Sequence, residues 1–134
     1  MSPRFRIISC LVWCLAWPAI AILLLMPLPF ELISRSDLLG HFLLFAVMTV
    51  SIVAFARSRR QILALSLLAI AYGIALEFGQ AYVPGRTFDV ADAIANAIGG
   101  VAGCLGAFLL LERLIDRHGE GRPPSTTAGP SPSA

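Results

Sequence analysis

Four long apolar stretches alternate with short polar links along this 134-residue chain. They run from about Ile7 to Pro29, Leu38 to Ala56, Ile62 to Val83 and Val90 to Leu111. Each approaches the roughly 20 residues that a helix needs to cross about 30 Å of hydrocarbon. The links, Phe30 to Asp37, Arg57 to Gln61 and Pro84 to Asp89, are short, and short links join antiparallel neighbours. Backbone groups inside a bilayer have no water to bond, so each span must satisfy them as a helix. The pattern predicts an all-α fold, a four-transmembrane-helix up-down bundle made by residues 1–118. A Gly-, Pro-, Ser- and Thr-rich tail, 119–134, has too little apolar surface to fold and is expected to be a disordered cytoplasmic extension.

The first stretch admits a second reading as a cleavable signal, because Arg4 and Arg6 precede it and Ala19-Ile20-Ala21 resembles a cleavage site. The apolar run continues through Leu23-Leu24-Leu25-Met26, longer than a usual signal core, which favours an uncleaved helix. Pro18 is expected to kink it, and Pro27 and Pro29 to close it. Orientation follows from the arginines near the helix ends. With the N-terminus cytoplasmic, Arg4, Arg6, Arg57, Arg59, Arg60, Arg113, Arg117 and Arg122 lie inside, and only Arg35 and Arg86 lie outside. Both termini are therefore placed in the cytoplasm.

Composition sharpens the membrane reading. The chain is 57% hydrophobic and only 13% charged, too little charge to cover a soluble domain of this size. All ten basic residues are Arg, and the net charge of +2 gives no footprint for nucleic acid. The three cysteines, Cys10, Cys14 and Cys104, sit inside apolar stretches with neither disulfide nor zinc spacing. No cofactor or metal site is indicated.

Against this apolar background, charged and amide side chains in the helices stand out, since an acidic residue at mid-membrane costs roughly 2.5–3.5 kcal/mol on insertion scales. With the topology above, Asp37 and His41 open the second helix, Glu77 and Gln80 close the third, and Asp89, Asp92 and Asn96 open the fourth. Arg86 lies in the turn between the last two. All converge on the extracytoplasmic side. Asp37 and His41 share a helix face at i,i+4, and Gly73, Glu77 and Gln80 form an i,i+4,i+7 stripe, with Glu77 about two turns inside the helix end. On the fourth helix, Asp89, Asp92 and Asn96 continue into Gly99, Gly103 and Gly106 along one face. Small residues at this spacing allow close helix packing in membranes, so Asp92 and Asn96 should look into the bundle.

Each residue also has a plainer role open to it. Asp89 follows Pro84-Gly85 and starts a helix, so a simple N-cap is open to it beside a binding role. Asp92 gains from the helix dipole, and Asn96 and His41 can be simple interhelical hydrogen-bonders. Glu77 can form a structural clamp with Arg86, Arg35 or His41. Arg86 can hold a phosphate or carboxylate in its planar fork, or pin the outer turn to Glu77 or Asp89.

In order along the chain, the motifs are Asp37-x-x-x-His41-Phe42, Glu77-x-x-Gln80, Pro84-Gly85-Arg86, Asp89-x-x-Asp92 and Asn96-x-x-Gly99. This combination, carried between about Asp37 and Gly103, resembles the VanZ-like family of small bacterial membrane proteins. The chain departs from the family pattern at Leu38, where a Lys often follows the first Asp. The resemblance implies an envelope protein in the context of teicoplanin-type glycopeptide resistance, without implying a reaction.

Three functions compete on this reading. The first is a binding or resistance protein whose outer polar site engages a membrane lipid, a cell-wall precursor or a glycopeptide. The second is an intramembrane hydrolase or transferase on a lipid-linked substrate, although the chain has no HExxH, no Gly-x-Ser-x-Gly and no paired histidines. The third is a structural or assembly protein. The oligomeric state is left open.

Overall fold

The structure, a computed structural model, describes residues 2–26, 36–84 and 86–119, with the side chains of 36, 37 and 117–119 outside the description. The expected disordered tail, the link around Arg35 and the side chain of Asp37 therefore lie outside the described residues. The regular elements among the described residues are all helical: α1 (Pro3–Leu25), α2 (Ser36–Val50), a 3-10 segment (Ser51–Ala54), α3 (Arg59–Gln80) and α4 (Val90–Gly119).

Local chemistry sets the helix ends, and it shifts them from the bounds of the apolar runs. α1 begins at Pro3, four residues before its apolar run, because Ser2 caps it by accepting from the Phe5 amide at 3.3 Å and Pro3 fits the first helical position. It runs unbroken through Pro18 and leaves the helix at Met26. α3 begins at Arg59, with a reciprocal cap: Ser58 Oγ accepts from the Gln61 amide at 3.2 Å, while Gln61 Oε1 accepts from the Arg57 amide at 2.6 Å. It ends at Gln80 because the chain turns through Tyr82 N–Gly79 O and Val83 N–Gln80 O bonds into Pro84. Glu77 thus lies three residues from the helix end, less than one turn, and not two turns inside. α4 continues past Leu111 through Glu112–Gly119, a polar extension that apolar patterning does not see.

Contacts between named pairs fix the helix directions. His41 meets Asn96, and Thr49 lies beside Gly103, so α2 and α4 run parallel. Glu77 meets His41 while Gly73 lies against Phe45, and Asn96 meets Glu77 while Gly100 lies against Ile70, so α3 is antiparallel to both. α1 lies along α3 and the 3-10 segment, and is held by polar contacts to backbone. Trp13 Nε1 donates to Met48 O at 3.0 Å, Tyr72 Oη to Trp17 O at 2.6 Å, and Arg6 Nη2 to Phe55 O at 2.6 Å. The Trp13, Trp17, Tyr72 and Phe55 rings cluster at this seam, with centroid separations of 4.9 Å for Trp13–Trp17 and 4.5 Å for Trp17–Tyr72.

The α2–α4 contact is the closest in the bundle. A Cβ at Gly99 would run into the backbone carbonyl of Phe42, and one at Gly103 into that of Ala46. Farther along, a Cβ at Gly106 would stand 3.2 Å from Val50 Cγ2. Glycine at these positions brings the two backbones together and increases dispersion contact, the main attraction between helices where the surroundings are themselves apolar.

The core beneath is small: Phe45, Ile52, Ile62, Ala69 and Ala107 are fully buried. Large apolar side chains instead cover the outside, among them Leu15 and Ile22 on α1, Val47 on α2, Leu67 on α3 and Leu105 on α4. So continuous an apolar exterior suits lipid and not water. α1, α3 and α4 are each long and apolar enough to cross a membrane, and the helix spanning Leu38–Ala54 is apolar but shorter.

Candidate polar site

Three helices deliver polar side chains to one end of the bundle. His41 comes from the second turn of α2, Glu77 from the last turn of α3 and Asn96 from the second turn of α4. Their relative exposures are 2%, 0% and 0%. His41 Nδ1 lies 3.0 Å from Asn96 Oδ1 and 3.3 Å from Glu77 Oε1. Asn96 Nδ2 donates to Glu77 Oε1 and to the backbone carbonyl of Gly73, each at 3.3 Å.

These bonds assign the atoms. The Asn96 amide gives its hydrogens to Glu77 and Gly73, so Oδ1 faces His41 as an acceptor. Nδ1 of His41 then carries the hydrogen that the two oxygens accept. A carboxylate accepting from one imidazole nitrogen fixes the ring's orientation. Paired hydrogen bonding is also what allows these groups to sit in an apolar interior, since an unbonded buried polar group costs several kcal/mol, roughly 2–7 depending on the reference.

Gly73 is the permissive position under this network. A Cβ there would come 2.7 Å from the Phe45 ring and 3.1 Å from Asn96 Cβ. Its carbonyl role and the Phe45 floor are site features that the sequence does not single out, although Gly73 lies four residues before Glu77 on the same stripe. Gln80, 2% exposed, lies one turn on from Glu77, and its Nε2 is buried without a hydrogen-bond partner among the described residues.

Arg86, Asp89 and Asp92 lie at the same end of the bundle, in the α3–α4 turn and at the start of α4. Asp89 is exposed and caps α4, its Oδ1 accepting from the Ala91 amide at 2.7 Å. Asp92 is half-buried in the first turn of α4, one turn before Asn96. Arg86 is half-buried, and its Nη2 donates to the Met26 carbonyl at 3.2 Å. This bond sets a cation at the C-terminal, negative end of the α1 dipole. Arg86 thus ties the α3–α4 turn to α1 through a backbone partner, where the sequence left open an anionic ligand, Glu77 and Asp89. Gly99 and Gly103 serve the α2–α4 contact directly below Asn96, and Gly106 extends it. Among the described residues no three His, Cys, Asp or Glu side chains group as metal ligands.

Comparison with curated proteins and with solved structures returned no match. Comparison with protein families did, and the matched segment, residues 7–111, reaches beyond the motif-bearing helices to include most of α1. The residues of the buried network and of the glycine contact all fall inside that segment, which covers most of the chain: the protein belongs to the VanZ/LLP1 family.

Proposed function

We propose that this VanZ/LLP1 protein crosses the bacterial cytoplasmic membrane four times, with both termini inside, and binds an envelope molecule at the extracytoplasmic end. α2 with its 3-10 extension supports the fourth span. Fifteen α-helical residues and four 3-10 residues reach about 30 Å together. Arginine placement supports the orientation. Phe78 and Phe88, stacked at 4.8 Å, and the exposed Tyr82 ring the proposed outer end as an interfacial aromatic belt does.

The observation that carries the reading is the buried His41–Glu77–Asn96 network beneath a rim of Arg86, Asp89 and Asp92. The rim offers a guanidinium for phosphate or carboxylate and carboxylates for sugar hydroxyls or peptide amides. The ligands that match are an envelope lipid, a cell-wall precursor or a glycopeptide of the teicoplanin type. The network below gives the rim a rigid base. A second reading, an intramembrane hydrolase or transferase on a lipid-linked substrate, draws on one feature. Glu77 holds the His41 imidazole as a carboxylate holds a general base.

The deciding experiment uses Arg86→Ala, Asp92→Asn and His41→Gln, scoring protein abundance, teicoplanin susceptibility and retention of envelope lipid together. The binding reading expects loss of resistance and lipid retention at unchanged abundance for the two rim variants. Turnover of a lipid-linked substrate that only His41→Gln abolishes would establish the enzyme instead. Loss that tracks abundance would leave the network as a structural lock and defeat both readings.

A further inference from the structure

The opposite end of the bundle carries a separate concavity of about 360 Å³, lined by Arg59, Arg60, Leu63, Phe108 and Glu112. Arg59 and Arg60 are the first two residues of α3, directly after the Ser58 cap, and both side chains are exposed. Their amides precede the first helical bond of α3, so the mouth of the pocket also meets the positive end of a helix dipole. Glu112 Oε1 accepts from Arg59 Nη2 at 2.8 Å. An exposed pair of this kind contributes at most about 1 kcal/mol, but it holds one guanidinium in place and leaves Arg60 as a second cation beside it.

Below the arginines the lining becomes apolar. Leu63 stands one turn along α3 and is 49% exposed, and the half-buried Phe108 faces it from α4 one turn before Glu112. Cationic groups at a helix end, with an apolar wall continuing along the helices, match a molecule with an anionic head and a hydrocarbon chain. The planar guanidinium pairs with phosphate through two parallel hydrogen bonds, and basic pockets between membrane helices select anionic head groups.

We propose that this pocket is a binding site for one anionic phospholipid. Its phosphate lies between Arg60 and the Arg59 guanidinium held by Glu112, and one acyl chain follows Leu63 and Phe108. The site is distinct from the His41 network and does not depend on which leaflet it meets, so it stands or falls apart from the function proposed above.

The test titrates the full-length protein in neutral detergent with phosphatidylglycerol, phosphatidylcholine or inorganic phosphate. Native mass spectrometry counts retained lipids, and helix content from circular dichroism shows that each variant is folded. The expected result is a single phosphatidylglycerol adduct that outlasts any phosphatidylcholine adduct. Arg60→Gln should weaken it about fivefold, and Arg59→Gln with Arg60→Gln about fivefold more, the usual contribution of each basic residue near an anionic lipid surface. Equal retention of the two lipids, or an adduct unchanged in the folded double variant, would overturn the site. Displacement of the lipid by millimolar inorganic phosphate would also overturn it, by showing a simple anion site with no part played by Leu63 and Phe108.

Discussion

His41 Nδ1 and Glu77 Oε1 lie 3.3 Å apart in a pair whose side chains are 2% and 0% exposed, one from the start of α2 and the other from the end of α3. The same carboxylate oxygen accepts from Asn96 on α4. A single atom, Glu77 Oε1, therefore joins three helices at one end of the bundle.

Removing that atom should cost more than altering its charge. Glu77→Ala takes one acceptor from the His41 Nδ1 hydrogen and one from the Asn96 amide, inside an apolar core. The expected loss is about 1–3 kcal/mol, the usual penalty for a stranded buried donor. Glu77→Gln keeps the volume and an acceptor oxygen, so its loss should be smaller. Thermal unfolding of the two variants in detergent checks the order; the two losses become equal if the network is held by charge and not by hydrogen-bond satisfaction.

Glycine contacts give a second ordering. Gly99→Ala forces a methyl group into the Phe42 carbonyl and must part α2 from α4, at a cost of roughly 1–3 kcal/mol as for other overpacked sites. At Gly40, by contrast, an added Cβ would meet nothing within 4 Å. Gly40→Ala should be neutral, or stabilising by up to about 1 kcal/mol through helix propensity. Measured stabilities that fail to separate these two alanines would remove the α2–α4 approach as the reason for Gly99.

Arg86 separates pinning from recognition. The Met26 carbonyl it bonds is a point acceptor that an ammonium also satisfies. A phosphate or carboxylate ligand instead uses the flat two-pronged guanidinium. On the binding function proposed above, Arg86→Lys should keep the unfolding temperature of the wild type while losing the proposed glycopeptide resistance and lipid retention. Arg86→Ala should lose both functions and at most about 1 kcal/mol of stability, as expected for a partly exposed bond. A lysine variant with full resistance would reduce Arg86 to a tie between the α3–α4 turn and α1.

How much of this can be read in the sequence depends on what each feature rests on. Helix number and the meeting of His41, Glu77 and Asn96 rest on apolar run lengths and on i,i+4 spacing, both written in the residue order. Helix ends are less legible because an apolar run marks lipid depth and not helix length. Ser2-Pro3 and Ser58-Arg59-Arg60-Gln61 are capping signals that extend α1 and α3 beyond their apolar runs, while Glu112–Gly119 simply continues α4 in polar form. The 3-10 segment after Val50 has no signal among Ser51, Ile52, Val53 and Ala54. Charge alone pairs Arg86 with an acidic side chain, yet it bonds the Met26 carbonyl. A backbone acceptor is carried by every residue, so nothing in the sequence distinguishes the one that is used.

Asp89 offers the sharpest division between a structural and a binding role, because its capping bond is explicit. Its Oδ1 accepts from the Ala91 amide at 2.7 Å, at the first turn of the helix that carries Asp92 and Asn96. Asp89→Ala should cost about 1 kcal/mol, the typical loss of an N-cap. Asp89→Ser and Asp89→Asn keep a capping oxygen and should recover most of it, while both remove the negative charge. If Asp89 only starts α4, glycopeptide susceptibility will follow stability across the three variants, and Ser and Asn will behave as wild type. If its carboxylate also meets a ligand at the rim, Ser and Asn will be stable and still lose the phenotype. The capping bond uses Oδ1 alone, so the binding rim proposed for Asp89 expects the second outcome. A stable Asp89→Asn protein that behaves as wild type would reduce Asp89 to a cap.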